Sequence, residues 1–471
     1  MNPFHRFLLA VAGTLTVSVL LVAQSGQPGV VPAQIQSTRI ATLRGDLERG
    51  VPGAVDQFWR ETANLGTPLV ERRGEDALHV LVTFVWRGAP GTTNVVVTGQ
   101  LGQYDGVALV DNRMEKLAGT DVWYRSYWLR KEARAVYRFA PNDSLTPLDD
   151  LEGLALRQRT AGWVPDPLNR RVFANNPDTF LNPAAQPQVS SLVELPDAPP
   201  QRWPSPVAGR PAGTLEKQAW RSPTLKNARE IWIYTPPGYR ANGAPYPLLV
   251  TTDGFSHTQQ MAVPTILDNL IGEGRIPPVV AVFVGNAADA RVRELSCSEA
   301  FGEFLVNEIV PSVSSRYHVS DDAAKSTIAG FSLGGLTAVC TALTHPGRFG
   351  NVLSQSGSFW WKPAGDREGE WVARHIAGSA RVPVRFYLDA GILEASASSA
   401  RTYRWLQETG IPFGPSMIGV SRHLRDVLKA KGYEVHYQEG GGGHNVVEWR
   451  STFADGLLAL FGTDAPATAR R

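Results

Sequence analysis

Cysteine is nearly absent from this chain: Cys297 and Cys340 are the only two among 471 residues. Two thiols exclude a cysteine-based zinc cluster. They could form one disulfide in an oxidising compartment. Cys340 falls on a predicted helix in apolar surroundings, so a buried free thiol fits as well. Charge imbalance is also missing, since 46 Lys and Arg face 44 Asp and Glu for a net +2. Without a concentrated basic face there is no case for nucleic-acid binding, and any anionic ligand must be met by local arginines. No internal repeat or low-complexity tract is present, which excludes solenoid and disordered classes.

Long hydrophobic runs are lacking as well, with one exception. "LLAVAGTLTVSVLLVA", the 16 uncharged residues from Leu8 to Ala23, follows a start that carries Arg6. A membrane span needs about 20 apolar residues, so this length fits the apolar middle of a secretory signal. Ala23 and Ser25 are small residues suited to cleavage. The reading is therefore a signal peptide over residues 1–25, with an uncleaved N-terminal anchor as the alternative, and a periplasmic or secreted mature chain without stable membrane insertion once the signal is removed.

What is present is ordinary globular protein, 43% hydrophobic and 19% charged, at a length that implies more than one domain. Residues 26–50 read as a linker. From there to residue 195 the strong signals are β: "ALHVLVTFVWR", "TNVVVTGQL", "DVWYRSYWL" and "ARAVYRFA" are β-branched and aromatic, with turn residues between them. Short strands at that spacing predict a β-sandwich over 51–195. The proline-rich stretch "LPDAPPQRWPSPVAGRPAG" cannot enter helices or central strands, so 196–224 reads as a linker or a strap. Over 225–465 short apolar runs alternate with helical stretches. Such a rhythm predicts an α/β domain, a mostly parallel sheet covered on both faces.

Within that domain "AGFSLGGLTAV" lies between a strand, "KSTIAGF", and a helix, "LGGLTAVCTALTH". Gly330-Phe331-Ser332-Leu333-Gly334 is then a G-x-S-x-G nucleophile elbow in the setting that the motif requires. The helix start adds a positive dipole where negative charge develops. Ser332 needs a base, and His444 in "QEGGGGHNVVEW" is best placed, between the last strand and the last helix at the ligand-binding edge of the sheet. His257, in "DGFSHT", could line the same edge. The acid belongs between serine and histidine in chain order. Asp389 at the end of "VRFYLDAG" and Glu394 just beyond it both qualify on spacing. For the oxyanion hole, one N–H comes from Leu333 and the other from Gly254 or Phe255 in the loop after an early strand.

These residues are familiar as a set. "RVRELSCSEAF", "AGFSLGGL", "SQSGSFWW" and "GGGGHNVVEWR" resemble the enterochelin (enterobactin) esterase family, as do "FWRETANLGTPLVE", "VTFVWRG", "LAGTDVWYRSYWL" and "GWVPDPLN" in the first half. The likeness runs from about Phe58 to Phe461. It implies an α/β-hydrolase domain preceded by a β-sandwich, and hydrolysis of the trilactone of catecholate siderophores with no cofactor and no protein-bound metal, iron arriving only with the substrate. It also implies that the acid sits a few residues beyond a D-x-G at the strand end, which points to Glu394 and leaves Asp389 structural. Some periplasmic relatives of that family rely on a Ser–His dyad.

A ferric tris-catecholate is anionic and aromatic, so arginine and tryptophan should receive it. Arg291 and Arg293 follow one strand, Trp360 and Trp361 follow another, and Arg450 lies six positions beyond His444; all five are candidates for substrate binding. Trp360 and Trp361 are equally suited to the core. A general exported carboxylesterase of the feruloyl type would share the fold and the triad. A non-catalytic ligand-binding protein would have no need of the elbow.

Overall fold

The computed structural model describes residues 37–72, 74, 76–99, 101, 112–146, 158–395 and 416–462. The expected signal peptide, the first part of the expected linker and the last residues of the expected catalytic domain lie outside them.

The first domain is a β-sandwich of two four-stranded antiparallel sheets. One sheet has the order β1-β2-β5-β4, from Leu69–Glu71 (β1), His79–Arg87 (β2), Glu115–Lys116 (β4) and Val122–Arg130 (β5). The other has the order β3-β6-β8-β7, from Val95–Gly99 (β3), Arg134–Pro141 (β6), Val172–Asn175 (β7) and Gln188–Glu194 (β8). Alternate residues of β2 (Val80, Val82, Phe84) join Val97, Tyr137 and Phe139 in the core between the sheets. The other face of β2 is buried too, because two helices cover it: Thr38–Glu48 (α1) and Ala54–Leu65 (α2). Ile40, Leu43, Phe58 and Trp59 pack there against Val85 and Tyr124.

These helices correct two expectations. Residues 38–48 are not linker, and the domain begins with helices rather than strands. The β2 sequence "HVLVTFVW" stays apolar on both faces because both are buried, a sign that something covers the second face without saying what.

The second domain is built on an eight-stranded sheet in the order β16-β15-β14-β13-β11-β12-β10-β9. Its strands are Thr214–Ser222 (β9), Asn227–Thr235 (β10), Leu248–Thr251 (β11), Val280–Val284 (β12), Ser326–Phe331 (β13), Asn351–Gln355 (β14), Arg385–Gly391 (β15) and Val435–Gly440 (β16). β11 to β16 run parallel, and β10 is antiparallel to both β9 and β12. Leu248 and Val250 enter one core layer and Leu249 the opposite one, so the sheet is covered on both faces. Val263–Gly272 (α3) supplies one face with Ile266 and Leu267. Past Arg291–Glu294 (α4), the segments Glu299–Phe304 (α5) and Val310–Ser314 (α6) supply the other, with Phe301, Phe304 and Val313. Leu333–Thr344 (α7), Trp371–Gly378 (α8) and Met417–Ala430 (α9) share that face, and Val446–Phe461 (α10) shares the face of α3.

The stretch expected as linker up to residue 224 therefore contains a strand. β9 pairs with β10 from Thr214↔Thr235 to Ser222↔Asn227 and forms the edge of the sheet. Its sequence, "TLEKQAWRS", is polar because an edge strand keeps much of its surface in water. The prolines before it form the strap: Asn269 Nδ2 donates to the carbonyls of Trp203 (2.7 Å) and Ser205 (2.9 Å), and Gln201 Nε2 donates to the Val447 carbonyl at 2.7 Å.

Cys297 and Cys340 are joined in a disulfide that ties α7 to the chain after α4. The bond joins residues 43 positions apart in sequence. Replacing both cysteines by alanine should lower the unfolding free energy by about 2–4 kcal/mol, read from urea unfolding with midpoint and slope fitted for each protein. An unchanged free energy would show that the bond contributes nothing to stability.

Candidate active site

Ser332 sits at the centre of the sheet, in the turn from β13 to α7, with φ 56° and ψ −124°. A non-glycine residue in that region stores roughly 1–3 kcal/mol of strain, which the surroundings must hold. They do so through the backbone: Ser332 N donates to the Gln355 carbonyl at 2.9 Å, and Ser358 N donates to the Ser332 carbonyl at 3.0 Å. Both motif glycines are sterically required. A Cβ at Gly330 or Gly334 would overlap Thr252 Oγ1 at the end of β11.

His444 Nε2 lies 2.9 Å from Ser332 Oγ. His444 Nδ1 lies 2.8 Å from Glu394 Oε2. With Nδ1–H donating to the carboxylate, Nε2 is left to accept the serine proton. Glu394 is buried, and its second oxygen accepts from Ser356 Oγ (2.6 Å) and Gly391 N (2.8 Å). Of the two candidate acids, Glu394 is the one that faces the imidazole. Asp389 points elsewhere: it accepts from Gln355 Nε2 (3.3 Å) and Ser356 N (3.2 Å) and joins the ends of β14 and β15.

The histidine loop is held just beyond the base. Asn445 caps α10, its side-chain oxygen accepting from Val447 N (3.1 Å) and Glu448 N (3.2 Å). On the next turn Trp449 stands edge-on to the His444 ring at 5.0 Å and stacks on Phe331 at 4.0 Å. Its indole N–H donates to Ser356 Oγ at 2.9 Å, so Ser356 links the tryptophan to the acid. Ser358 brings a second hydroxyl to within 3.4 Å of Ser332 Oγ. Ser356 and Ser358 lie in the quoted "SQSGSFWW", but nothing in that spacing says that one meets the acid and the other the nucleophile.

For the oxyanion hole, Leu333 is the first residue of α7 and Gly254 and Phe255 open the helical turn after β11. First-turn amides have no acceptor within their own helix, which leaves them to face developing charge. A Cβ at Gly254 would overlap the backbone of Phe283 and Val284, so only glycine lets this turn lie against β12.

The next residues back set the electrostatics. Asp253, with φ 49°, is buried and accepts from Arg291 Nε (2.6 Å), Arg291 Nη2 (2.9 Å) and Asn286 Nδ2 (2.7 Å). Burial pushes its carboxyl up, but the Arg291 guanidinium prevails and holds it below the usual carboxylate range. His257 is fully buried against Phe331 and Phe453, and burial drives its pKa down to about 4. It is a neutral core residue and does not line the catalytic edge. Burial also raises Asp389 to about 7 and Glu448 to about 8.

The expected substrate residues fare differently. Arg291 is in the bidentate pair with Asp253, so its visible role is to brace the oxyanion turn rather than to wait for an anion. Arg293 is exposed on α4. Trp360 is 6% exposed and belongs to the sheet core, and Trp361 packs edge-on against Trp371 at 5.8 Å. Arg450 turns away from His444 toward the strap and β7, with Nε donating to Gln201 Oε1 (2.8 Å) and its guanidinium 5.1 Å from the Phe173 ring. Four of the five are thus occupied in structure, because long side chains near a sheet edge find packing partners that spacing does not reveal. Among the described residues, no group of His, Cys, Asp and Glu is placed to hold a metal ion.

Two family models match the chain: "Putative esterase" over residues 222–460 and "Enterochelin esterase, N-terminal" over residues 81–204. The iron(III) enterobactin esterase of Dickeya dadantii is 29% identical over 94% of this chain and all of that protein. The protein of the same name from Escherichia coli K12 is 30% identical over 81% of this chain and 91% of its own length. A crystal structure of the enterobactin esterase from Shigella flexneri, determined in the presence of enterobactin, superposes with a TM-score of 0.63 at 28% identity. That match covers 86% of this chain and 97% of the other.

Ser332→Ala should abolish ester hydrolysis, by about 10⁶-fold in turnover, while the folded state persists. Retention of even a tenth of the activity would remove Ser332 as nucleophile. Glu394→Gln should lower kcat far more than Asp389→Asn, since only Glu394 faces the imidazole; the reverse order in steady-state kinetics would move the acid to Asp389. The raised pKa of Asp389 has its own consequence. Its contribution to stability is fully present below the unfolded value near 4 and is lost as pH rises through about 7. Thermal melts of wild type and Asp389→Asn should therefore converge toward low pH and diverge in favour of the variant at pH 8. A constant gap across that range would contradict it.

Proposed function

The chain belongs to the enterochelin esterase family, and from that premise we propose that its Ser332–His444–Glu394 centre opens the trilactone esters of an enterobactin-type catecholate siderophore. It is a serine hydrolase of carboxylic esters. The observation that carries the reading is the unbroken line of contacts, 2.9 Å from serine to imidazole and 2.8 Å from imidazole to carboxylate, in a chain related along its length to enterobactin esterases.

The chemistry follows from that line. Ser332 Oγ attacks an ester carbonyl as His444 Nε2 takes its proton, and Glu394 stabilises the imidazolium. The oxyanion forms against the first-turn amides of Leu333 and of Gly254 or Phe255, where low dielectric strengthens each hydrogen bond. His444 then protonates the leaving alkoxide, which opens the lactone ring and leaves an acyl-enzyme. A water deprotonated by His444 releases the acyl group and restores the serine. Iron takes no part in these steps and enters only as cargo of the siderophore.

The same proposal sets the reaction outside the cytoplasm, in the periplasm or beyond. The uncharged run Leu8–Ala23 and the pairing of Cys297 with Cys340 support that setting.

The test is product analysis with purified protein given iron-free enterobactin, ferric enterobactin and feruloyl or other simple aryl esters. We expect stepwise opening of the trilactone with kcat/KM at least tenfold above that for the aryl esters, and relative rates on the two enterobactin forms report the preferred state of iron. Efficient aryl-ester turnover with an intact trilactone would replace the reading with that of a general carboxylesterase.

A further inference from the structure

The three catalytic side chains do not have equal support from their own domain. Ser332 follows β13, in the middle of the sheet. Glu394 and His444 follow β15 and β16, the last two strands at one edge. What lies against their loops is the β-sandwich.

Two contacts join it to them. In the first, Leu393, the residue before the acid, is buried in the core of the β domain and shares a hydrophobic cluster with Val80, Leu129, Ala133 and Leu195. Ile392 packs against the same cluster. In the second, Arg134, the first residue of β6, donates its backbone N–H to the Gly441 carbonyl of the histidine loop at 2.9 Å. The approach is so close that a Cβ at Gly441 would overlap the Glu132 carbonyl oxygen. The two loops are tied to each other by Leu393 N donating to the Gly442 carbonyl at 2.9 Å. The Arg134 side chain, itself buried, secures the contact by pairing with Glu194 (2.7 Å) and reaching Ser451 Oγ on α10 (3.2 Å).

We propose that the β-sandwich is a positioning element of the esterase, holding the acid and base in register by a Leu393 plug in its core and a clamp of the Glu132–Arg134 turn on Gly441. The argument rests on the serine esterase reading of the site and on no particular ester. Leu393, Gly441 and Arg134 are positioning residues: none touches the reacting atoms. Their effect passes through Glu394, one bond from Leu393, and through His444, three residues beyond Gly441. One glycine of the "GGGG" run, Gly441, thereby acquires a reason. It lies where the other domain presses on the loop.

The test uses the full chain and a neutral probe, p-nitrophenyl butyrate, so that siderophore recognition does not enter. Leu393→Ala empties the plug, and Gly441→Ala pushes the clamp apart. Each should lower kcat on the order of a hundredfold, the consequence of a misplacement near 1 Å, with KM within about threefold of wild type. The acid limb of the kcat/KM profile should also move to lower pH, because an imidazolium less well met by Glu394 gives up its proton more readily. Leu393→Met, which keeps the volume, should restore kcat and the limb. The proposal is overturned if both alanine variants keep kcat within threefold of wild type. It is equally overturned if activity falls only in proportion to the folded fraction, measured by circular dichroism, with the acid limb in place. Should Leu393→Ala not fold, Gly441→Ala decides by the same criteria. Wild-type protein whose turnover of the probe is unaffected by Ser332→Ala would instead remove the esterase reading on which the proposal stands.

Discussion

Everything in this molecule turns on one constraint: a serine, an imidazole and a carboxylate carried by three different strands must meet at hydrogen-bond distance. Ser332 is set by its own turn, whose strain is held by backbone bonds to Gln355 and Ser358. His444 and Glu394 come from the sheet edge and reach inward on loops that contain glycines. The close approaches at Gly330, Gly254 and Gly441, where two backbones nearly touch, and at Gly334, where the Thr252 side chain does, all express the same requirement for a position without a side chain.

Beneath the triad lies a buried group of carboxyls that could have undone it. Asp389, Glu394 and Glu448 are each at most 3% exposed. Burial pushes Asp389 and Glu448 up toward their neutral forms, and the nearby carboxylates push each further. Glu394 accepts from Ser356 and Gly391 and meets the His444 ring. Asp389 does different work as a clasp between β14 and β15, and Ser356 stands between the two acids, bonded to both.

The oxyanion side follows a parallel logic. The Asp253–Arg291 pair looks at first like a binding site for an anion. Its bidentate geometry instead fixes the turn that presents Gly254 and Phe255. Arg450 and Arg134 likewise hold strap, helix and β domain together at the other side of the site. Basic residues near a pocket thus serve first to keep its walls in place, and the charge meant for a ligand has to be sought among groups without such partners.

Much of this was legible in the residues alone. The strand–turn–helix around Ser332, the glycine-rich approach to His444, the change from β to α/β rhythm and the proline strap follow from local chemistry. Propensity, periodicity and the steric demands of a tight turn act over a few residues at a time. Sequence spacing could not separate Glu394 from Asp389. The distinction is one of direction: the chain bends in the short turn after Gly391 and aims one carboxylate at the imidazole, leaving the other in the sheet. Nor could it show α1, α2 and β9, whose sequences are amphipathic or polar until the partner surface is known. The roles of Arg291, Trp360 and Arg450 belonged wholly to the tertiary structure, because whether a side chain meets substrate or protein depends on which distant segment folds against it.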